Sequence, residues 1–155
     1  MQHTPEETVR IREEADRGNP EALFELGVMY LDGDSVPQSI DDALGCFREA
    51  ALRGEPNSAF NLGLVSAQGN GVPQSWSEAS YWFTIAANAG LPQAMVQLGL
   101  IYSLGEAYDE AALWYAKAGD LGDRDALMLL ADLYEEGLGV PQSKERAEQI
   151  RAKAD

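Results

Sequence analysis

The side chains that could carry catalysis or bind a metal are few in this sequence. The one histidine, His3, lies in a tail ahead of the first predicted helix. The one cysteine, Cys46, excludes an intramolecular disulfide, and the position of His3 ahead of the first helix removes nearly every Ser-His, Cys-His and His-metal arrangement. Residues 32–34 (Asp-Gly-Asp) fail the spacing of a calcium loop, because Val36 occupies the next ligand position. We therefore predict no catalytic residue, no metal site and no enzyme activity.

Two glycine-rich segments resemble the loops that bind dinucleotide phosphates. Residues 69–71 (Gly-Asn-Gly) and 137–139 (Gly-Leu-Gly) each follow a predicted helix rather than a strand. Both lack the third glycine of the dinucleotide motif. We interpret them as connectors between helices and expect no cofactor.

The composition is that of a globular chain with a strongly acidic surface. The 155 residues suffice for one domain, and 45% of them are hydrophobic, enough to form a core. Only 11 basic residues accompany 26 acidic ones, so the net charge is −15. Such a surface repels nucleic-acid phosphates and anionic lipid headgroups and attracts basic proteins. We therefore expect a protein partner, with a basic one favoured, no nucleic acid and no membrane insertion.

The N-terminal residues carry no targeting signal that can be recognised. Residues 1–7 have neither the basic nor the apolar region of a signal peptide, and no apolar run has the length of a membrane span. We therefore expect a cytoplasmic protein. A secreted chain trimmed of its signal peptide would have the same sequence.

Three short sequence patterns recur along the chain with one common period. Their period predicts the helices that hold the surface residues in place. Leu-Gly recurs at residues 26–27, 62–63 and 98–99, every 36 residues, and Leu130-Ala131 follows 32 residues later. Val-Pro-Gln-Ser begins at residues 36, 72 and 140, steps of 36 and 68. A glycine track keeps the same spacing at Gly18, Gly54, Gly90 and Gly122. The shared period predicts two-helix repeats, the third of them four residues shorter.

Each repeat contains signals for the start and end of its two helices, which we call helix A and helix B. Proline opens helix A in three repeats, and a glycine at residue 33, 69, 105 or 137 is expected to end it in a left-handed conformation. Ser39 and Ser75 are predicted to cap helix B. The glycines at 27, 63 and 99 indicate that the backbone of helix B passes close by.

The pattern as a whole resembles a known repeat family. Ala-x-x-x-Leu-Gly-x-x-Tyr, Gly-x-Gly-Val-Pro-Gln and Ala-x-x-Trp-Phe are similar to the Sel-one-like repeats, relatives of the tetratricopeptide arrays. The third repeat departs by lacking the Val-Pro-Gln loop, and the second has Ser66 in place of tyrosine. The resemblance implies an all-α, right-handed α/α superhelix that binds proteins.

We expect residues 1–155 to form a single solenoid domain. It comprises an N-terminal capping helix over residues 1–18 and repeats over residues 19–54, 55–90, 91–122 and 123–155. Cys46 aligns with the tryptophans Trp82 and Trp114 of the next two repeats, and we expect it to be buried. Arg151 replaces the aromatic residue of helix B in the last repeat, which gives that repeat the polar face of a cap.

One set of polar residues lies on the face of helix A opposite the apolar residues that are predicted to form the core. In solenoids of the family that the sequence resembles, helix A lines the concave face, so these residues would form a ladder across it. The asparagines and glutamines could bond a partner's backbone without reading its sequence. A merely solvated polar face would show the same pattern. The candidate partner-binding residues are Glu21, Glu25, Asp32, Asn57, Asn61, Gln68, Gln93, Gln97, Asp125 and Glu136.

Charge is distributed unevenly along the chain. Residues 1–55 contain 13 acids and 5 bases, and residues 106–155 contain 12 acids and 6 bases. Between them, residues 56–105 contain one charged residue, Glu78. Depletion of charge is typical of interface cores, although simple burial of the middle repeats would also explain it.

These observations leave two functional hypotheses besides an unrecognised enzyme. The first is a scaffold or adaptor that holds a partner protein on its concave helix A face. The second is an immunity or inhibitor protein that covers a basic toxin or effector enzyme, which the small size and the charge of −15 would suit.

Overall fold

The computed structural model describes residues 3–154, and all regular structure in this part of the chain is helical. The predicted all-α fold, a single helix followed by four helical hairpins, is confirmed. The predicted ends at Met1, Gln2 and Asp155 lie outside the described residues. The helices are α1 (Pro5–Asp16), α2 (Pro20–Asp32), α3 (Ile40–Leu52), α4 (Pro56–Gln68), α5 (Trp76–Asn88), α6 (Pro92–Leu104), α7 (Tyr108–Asp120), α8 (Arg124–Glu136) and α9 (Lys144–Ala154). Helix A of the four hairpins is α2, α4, α6 and α8, and helix B is α3, α5, α7 and α9.

The starts of the helices follow from their capping residues. The Thr4 hydroxyl accepts the Glu7 N–H at 3.2 Å, and the Glu7 carboxylate accepts the Thr4 N–H at 2.8 Å, which completes a capping box on α1. Ser39 and Ser75 accept N–H groups of α3 and α5, both at 3.2 Å. Proline occupies the first turn of α2, α4 and α6, where a missing N–H costs no hydrogen bond.

A glycine follows the last residue of helix A in all four hairpins, as predicted, but in the third it lacks the predicted left-handed conformation. Gly33, Gly69 and Gly137 adopt left-handed conformations with φ of 68°, 73° and 73°. Gly105 ends α6, but the prediction of its left-handed conformation is wrong, because its φ is −86°. Glu106 takes the positive φ instead, at 60°. The shortened connector of this hairpin moves the left-handed residue one position along the chain.

The glutamine of the Val-Pro-Gln loop holds the connector against the end of helix A. The Gln38 side-chain amide donates to the Leu31 carbonyl at 2.7 Å. Gln74 and Gln142 make the same bond in their hairpins, at 2.8 and 2.9 Å. Each bond satisfies one carbonyl that a helix C-terminus leaves without an intrahelical partner. The repeated glutamine is therefore structural.

The helices form two compact units, α1 to α5 up to Ala89 and α6 to α9 from Gly90. In the first unit each helix packs on the next along the chain. Part of its core is a cluster that includes Ile11, Leu23, Met29 and Val36. Cys46 packs against this cluster but is only half-buried, so the prediction of a buried cysteine is wrong.

The second unit packs α6 on α7, α7 on α8, and α8 on α9. Its small core residues Ala94, Ala111, Ala118 and Ala131 have no exposed surface. Tyr115 is 2% exposed and its hydroxyl lies 3.3 Å from the Ser103 hydroxyl, so the buried phenol has a polar partner.

The recurrent mid-helix glycines leave room for an aromatic ring. A Cβ added at Gly27 would lie 2.6 Å from the ring of Phe47, and one at Gly63 would lie 2.5 Å from the ring of Phe83. A Cβ at Gly99 would overlap the ring of Tyr115 in the same way. The prediction of a close helix B is therefore confirmed, but the close group is a ring and not the backbone.

The fourth hairpin replaces this glycine–ring pair with a different pair. Ala131 stands at the glycine position, and Arg151 stands where the other repeats have a ring. The Arg151 guanidinium donates to Asp132 at 2.8 Å and to Glu135 at 2.5 Å. The two changes belong together, because an alanine methyl fits only where no ring occupies the space.

Candidate protein-binding surface

The predicted partner-binding residues of the first unit lie outside its core. On α2, Glu21, Glu25 and Asp32 are exposed. On α4, Asn57 and Gln68 are exposed and Asn61 is half-buried. Helix geometry explains this placement, since these positions lie on the face opposite Leu26 and Leu62, which are 8% and 3% exposed.

Three of these side chains already have partners within the chain. The Asn57 amide donates to the carboxylate of Glu55, the N-cap of α4, at 2.9 Å. The Gln68 carbonyl accepts a bond from Asn70 at 2.7 Å, and Glu25 lies 3.1 Å from the His3 ring. Asn61 has no hydrogen-bond partner among residues 3–154, so its amide is available to another molecule.

In the second unit the predicted residues are likewise outside the core. Gln93, Asp125 and Glu136 are exposed, and Gln97 is half-buried without a hydrogen bond to any described residue. Leu104, at the repeat position of Asp32 and Gln68, is 74% exposed. The surface of helix A therefore changes from acidic and polar on α2 to partly apolar on α6.

The charge-depleted stretch exposes large apolar side chains. In the first unit Trp76 and Tyr81 of α5 are 49% and 56% exposed. In the second unit Leu100, Tyr102 and Leu104 of α6 are all more than a third exposed. Burial alone therefore does not explain the lack of charge between residues 56 and 105.

The one histidine is anchored rather than free in a tail. The His3 ring lies 2.6 Å from the Asp34 carboxylate through Nδ1 and 3.1 Å from Glu25 through Nε2. The Ser35 hydroxyl donates to the His3 carbonyl at 2.8 Å. Hydrogen bonds that the His3 ring makes to the carboxylates of Asp34 and then Glu25 raise the pKa of His3 above its usual 6.5, and the bond with His3 lowers the pKa of Asp34. This cluster ties the segment that precedes α1 to the connector of the first hairpin.

The His3–Asp34 pair should make stability depend on pH. Because the pKa of His3 is raised in the fold, its contribution is complete below about pH 6.5 and is lost as the pH rises through the folded value. Because the pKa of Asp34 is lowered, the contribution also disappears as the pH falls through the folded value of that carboxyl. We expect NMR titration of the His3 imidazole to give a pKa above 6.5 in the wild type and a value nearer 6.5 in Asp34→Asn.

A matched control lies two residues away. Asp32 is exposed on the same helix end, and Asp32→Asn should leave the His3 titration unchanged. The melting temperatures of wild type and Asp34→Asn should differ most between about pH 4 and pH 6.5, and the difference should shrink above the folded pKa of His3, where only the bonds from the His3 N–H and the Ser35 hydroxyl to Asp34 remain. Identical His3 titrations in wild type and Asp34→Asn would contradict the ion pair.

The described residues offer little for other kinds of chemistry. Between residues 3 and 154, no group of three or more His, Cys, Asp or Glu side chains is arranged to hold a metal ion. No helix in the same part of the chain is long and apolar enough to span a membrane. What the geometry presents is polar and apolar surface on otherwise well-packed helices.

The comparisons with known proteins agree with this description. The Sel1 repeat family model matches residues 20–55, 56–91, 92–123 and 124–149. A Sel1 repeat protein from Oxalobacter formigenes is 32% identical, with a TM-score of 0.83 over 93% of this chain and 60% of its own. The protective antigen c5321 of uropathogenic Escherichia coli, which displays an SLR fold, is 32% identical with a TM-score of 0.86. That match covers 94% of this chain and 32% of the antigen.

A more distant likeness concerns the fold alone. The immunity protein Pa5087 from Pseudomonas aeruginosa is 20% identical, with a TM-score of 0.57 over 93% of this chain and 55% of its own. No curated protein matches the chain in sequence. The chain thus spans less than two thirds of the length of each of these three solved proteins.

The matched repeats include all four hairpins. Sel1 repeats generally mediate protein–protein interactions, and their fold is typically a non-catalytic scaffold. With four consecutive repeats matched and two solved relatives at 32% identity, the chain belongs to the Sel1 repeat family.

Proposed function

We propose that the chain is a scaffold or adaptor that binds a partner protein through the exposed faces of its A helices. The binding residues would be the ten predicted ones, which we call the helix A surface. The observation that carries the proposal is their placement: all ten lie outside the core of their unit. The helix A surface is defined by Glu21, Glu25, Asp32, Asn57, Asn61, Gln68, Gln93, Gln97, Asp125 and Glu136.

Two amides are the best placed to contact a partner's backbone. Asn61 and Gln97 occupy the same repeat position on α4 and α6 and are half-buried. Neither bonds to another described residue, so each can donate and accept one bond at small desolvation cost. A half-buried side chain also loses less rotamer freedom on binding than a fully exposed one.

Apolar and acidic groups on the A helices set the character of the partner. On α6, Leu100 and Leu104 are 38% and 74% exposed and can cover an apolar side chain. Asp125 and Glu136 on α8 and Glu21 on α2 are exposed carboxylates. A segment with apolar and basic residues fits both features, and the net charge of −15 would steer a basic protein towards this chain.

The test is a triple alanine variant at Glu21, Asn61 and Gln97. Glu25 is left intact, because its removal would also disturb His3. A partner recovered by affinity capture from the source cell is identified and titrated calorimetrically with the wild type and the variant. We expect the variant to bind at least about tenfold more weakly, since loss of central interface contacts costs over 1 kcal/mol each. Its melting curve should stay close to that of the wild type.

The matched control changes one acid and two amides on the B helices. Asp41, Asn88 and Gln149 are exposed on α3, α5 and α9. Their triple alanine variant should bind the partner within about twofold of the wild type. Equal affinities in the helix A variant and the wild type would move the binding site elsewhere and end this proposal.

A second candidate function is that of an immunity or inhibitor protein for a basic toxin or effector enzyme. The charge of −15 on 155 residues favours it, because long-range attraction speeds association with a basic enzyme. Such association should slow markedly between about 0.05 and 0.5 M salt, as the screening length falls below about 10 Å. Salt-insensitive association would remove this second function.

A further inference from the structure

The second unit contains a groove that the helix A surface does not use. It has a volume of about 490 Å³ and runs between α7 and α9 above α8. Its floor is apolar, formed by Ala112 and Ala116 of α7, Leu127 of α8 and Ile150 of α9. The volume lies within the range of about 300–1,000 Å³ that is typical of ligand sites. The groove shares no residue with the ten of the helix A surface.

Leu113 is the most conspicuous apolar group in this groove. Its side chain is 64% exposed on helix B, whereas its neighbour in sequence, Ala112, is 6% exposed. An exposed leucine beside an apolar floor enlarges the apolar surface that a bound molecule can cover. The groove therefore has both an apolar floor and an exposed apolar wall.

The two sides of the groove carry opposite charges. Asp109 and Asp120 stand at the two ends of α7, and Arg146 and Lys153 stand near the two ends of α9. All four side chains are exposed. Among residues 3–154 no salt bridge joins the acids of α7 to the bases of α9, so each side can pair with charges on a bound molecule.

We propose that this groove binds one amphipathic α-helix of a partner protein. The bound helix carries an apolar stripe against the floor, basic residues towards α7 and acidic residues towards α9. This charge complementarity identifies the occupant, because an all-acidic or all-basic helix would face repulsion on one side. The site adds a second interaction surface to the proposed scaffold, and its existence does not depend on the helix A surface.

The length of the groove fits a helix of about three turns. Asp109 and Asp120 are eleven residues apart on α7, which is about 16 Å at 1.5 Å per residue. Apolar residues at positions i, i+4, i+7 and i+11 of a bound helix would span this distance. The exposed carboxylates at both ends of α7 would then each meet a basic residue on the same side of that helix.

The test uses a designed helical peptide and the full chain. The peptide has leucines at i, i+4, i+7 and i+11, lysines along one flank, glutamates along the other, and no net charge. A second peptide of the same composition has the leucine stripe scrambled. We expect fluorescence anisotropy to show binding of the striped peptide and at least about tenfold weaker binding of the scrambled one. No difference between the two peptides would overturn the proposal.

Two exposed leucines of the second unit provide matched variants. Leu113→Gln removes the apolar wall of the groove, and Leu104→Gln removes a leucine that does not line it. Both side chains are mostly exposed, so neither change should alter the melting curve. Leu113→Gln should lower the affinity for the striped peptide about tenfold, and Leu104→Gln should change this affinity less than twofold. Equal loss in both variants would overturn the groove as the site.

A charge reversal tests the assignment of the two sides. Asp120→Lys makes both sides of one end of the groove basic. This variant should bind the mixed-charge peptide about fivefold more weakly than the wild type does, and it should bind a peptide with glutamate on both flanks more tightly. Unchanged affinities would overturn the charge assignment. The protein without peptide is also tested for self-association. If it self-associates and Leu113→Gln abolishes this, the groove binds a second copy of this chain and the proposal of a partner helix is overturned.

Discussion

Replacing Gly63 by valine should destabilise the protein by about 1–3 kcal/mol, because the new side chain overlaps the ring of Phe83. A Cβ at this position already lies 2.5 Å from a ring carbon, and Phe83 is 1% exposed with little space to move. Removing a mid-helix glycine by itself favours the helix by at most about 1 kcal/mol. Overpacking therefore outweighs the gain in helix propensity. Urea unfolding monitored by circular dichroism measures the net effect.

A control and a rescue variant make this prediction specific. Gln68→Val changes an exposed residue of the same helix and should alter the free energy of unfolding by less than about 0.5 kcal/mol. Phe83→Leu removes the ring, so the double variant Gly63→Val/Phe83→Leu should cost less than the sum of the two single changes. Additive costs would show that the valine does not meet the ring.

The period of the sequence predicted the fold because each repeat contains the same local signals. Proline at the start of helix A, glycine at its end and leucine on its inner face recur in register, and each has a local physical reason. The mid-helix glycines also indicated a close neighbour correctly. They could not show that the neighbour is a ring, because Phe47 and Phe83 lie twenty residues further along the chain in their own helical pattern.

The features that the sequence did not predict arise where a repeat departs from the common pattern or where a residue lies outside the repeats. Glu106 adopts a left-handed conformation because a four-residue deletion shortens the connector beside it. The His3–Asp34 pair joins a residue outside the repeats to a connector, so no periodicity indicates it. The hydrogen bond from Ser35 to the His3 carbonyl belongs to the same cluster and could not be predicted from the sequence either.

The residues of the helix A surface were predicted from the sequence both to lie outside the core and to bind a partner, and the structure bears on the first of these. Periodicity shows which residues face away from the core, and the structure agrees for all ten. It cannot show which of them are already bonded within the chain, as Asn57 is to Glu55 and Gln68 to Asn70. The groove between α7 and α9 was not predicted, because its walls come from different repeats and its floor combines core positions such as Ala112 and Ile150 with half-buried ones such as Leu127.

The other large effect is expected at Gly139, in the connector between α8 and α9. Its φ is 65°, and a Cβ there would lie 2.5 Å from the Tyr108 carbonyl oxygen, with the Asp109 backbone also in contact. Backbone cannot rotate away as a side chain can, so Gly139→Ala must displace either the connector or the start of α7. We expect a loss of about 3 kcal/mol or more, near the upper end of single substitutions. Urea unfolding measures this loss.

Two other glycines separate backbone strain from steric overlap. Gly122 has a φ of 88° and no atom within 4 Å of an added Cβ, so Gly122→Ala should cost only the strain, about 1–2 kcal/mol. Gly71 is the equivalent of Gly139 in the second repeat, but its added Cβ meets the Ile40 side chain at 2.7 Å. Ser35 occupies the same position of the first connector with a φ of 59°, so a side chain is tolerated where the backbone is not in the way. The expected order of destabilisation is therefore Gly139→Ala, then Gly71→Ala, then Gly122→Ala. If Gly139→Ala costs no more than Gly122→Ala, the connector does not rest on the backbone of α7 in solution.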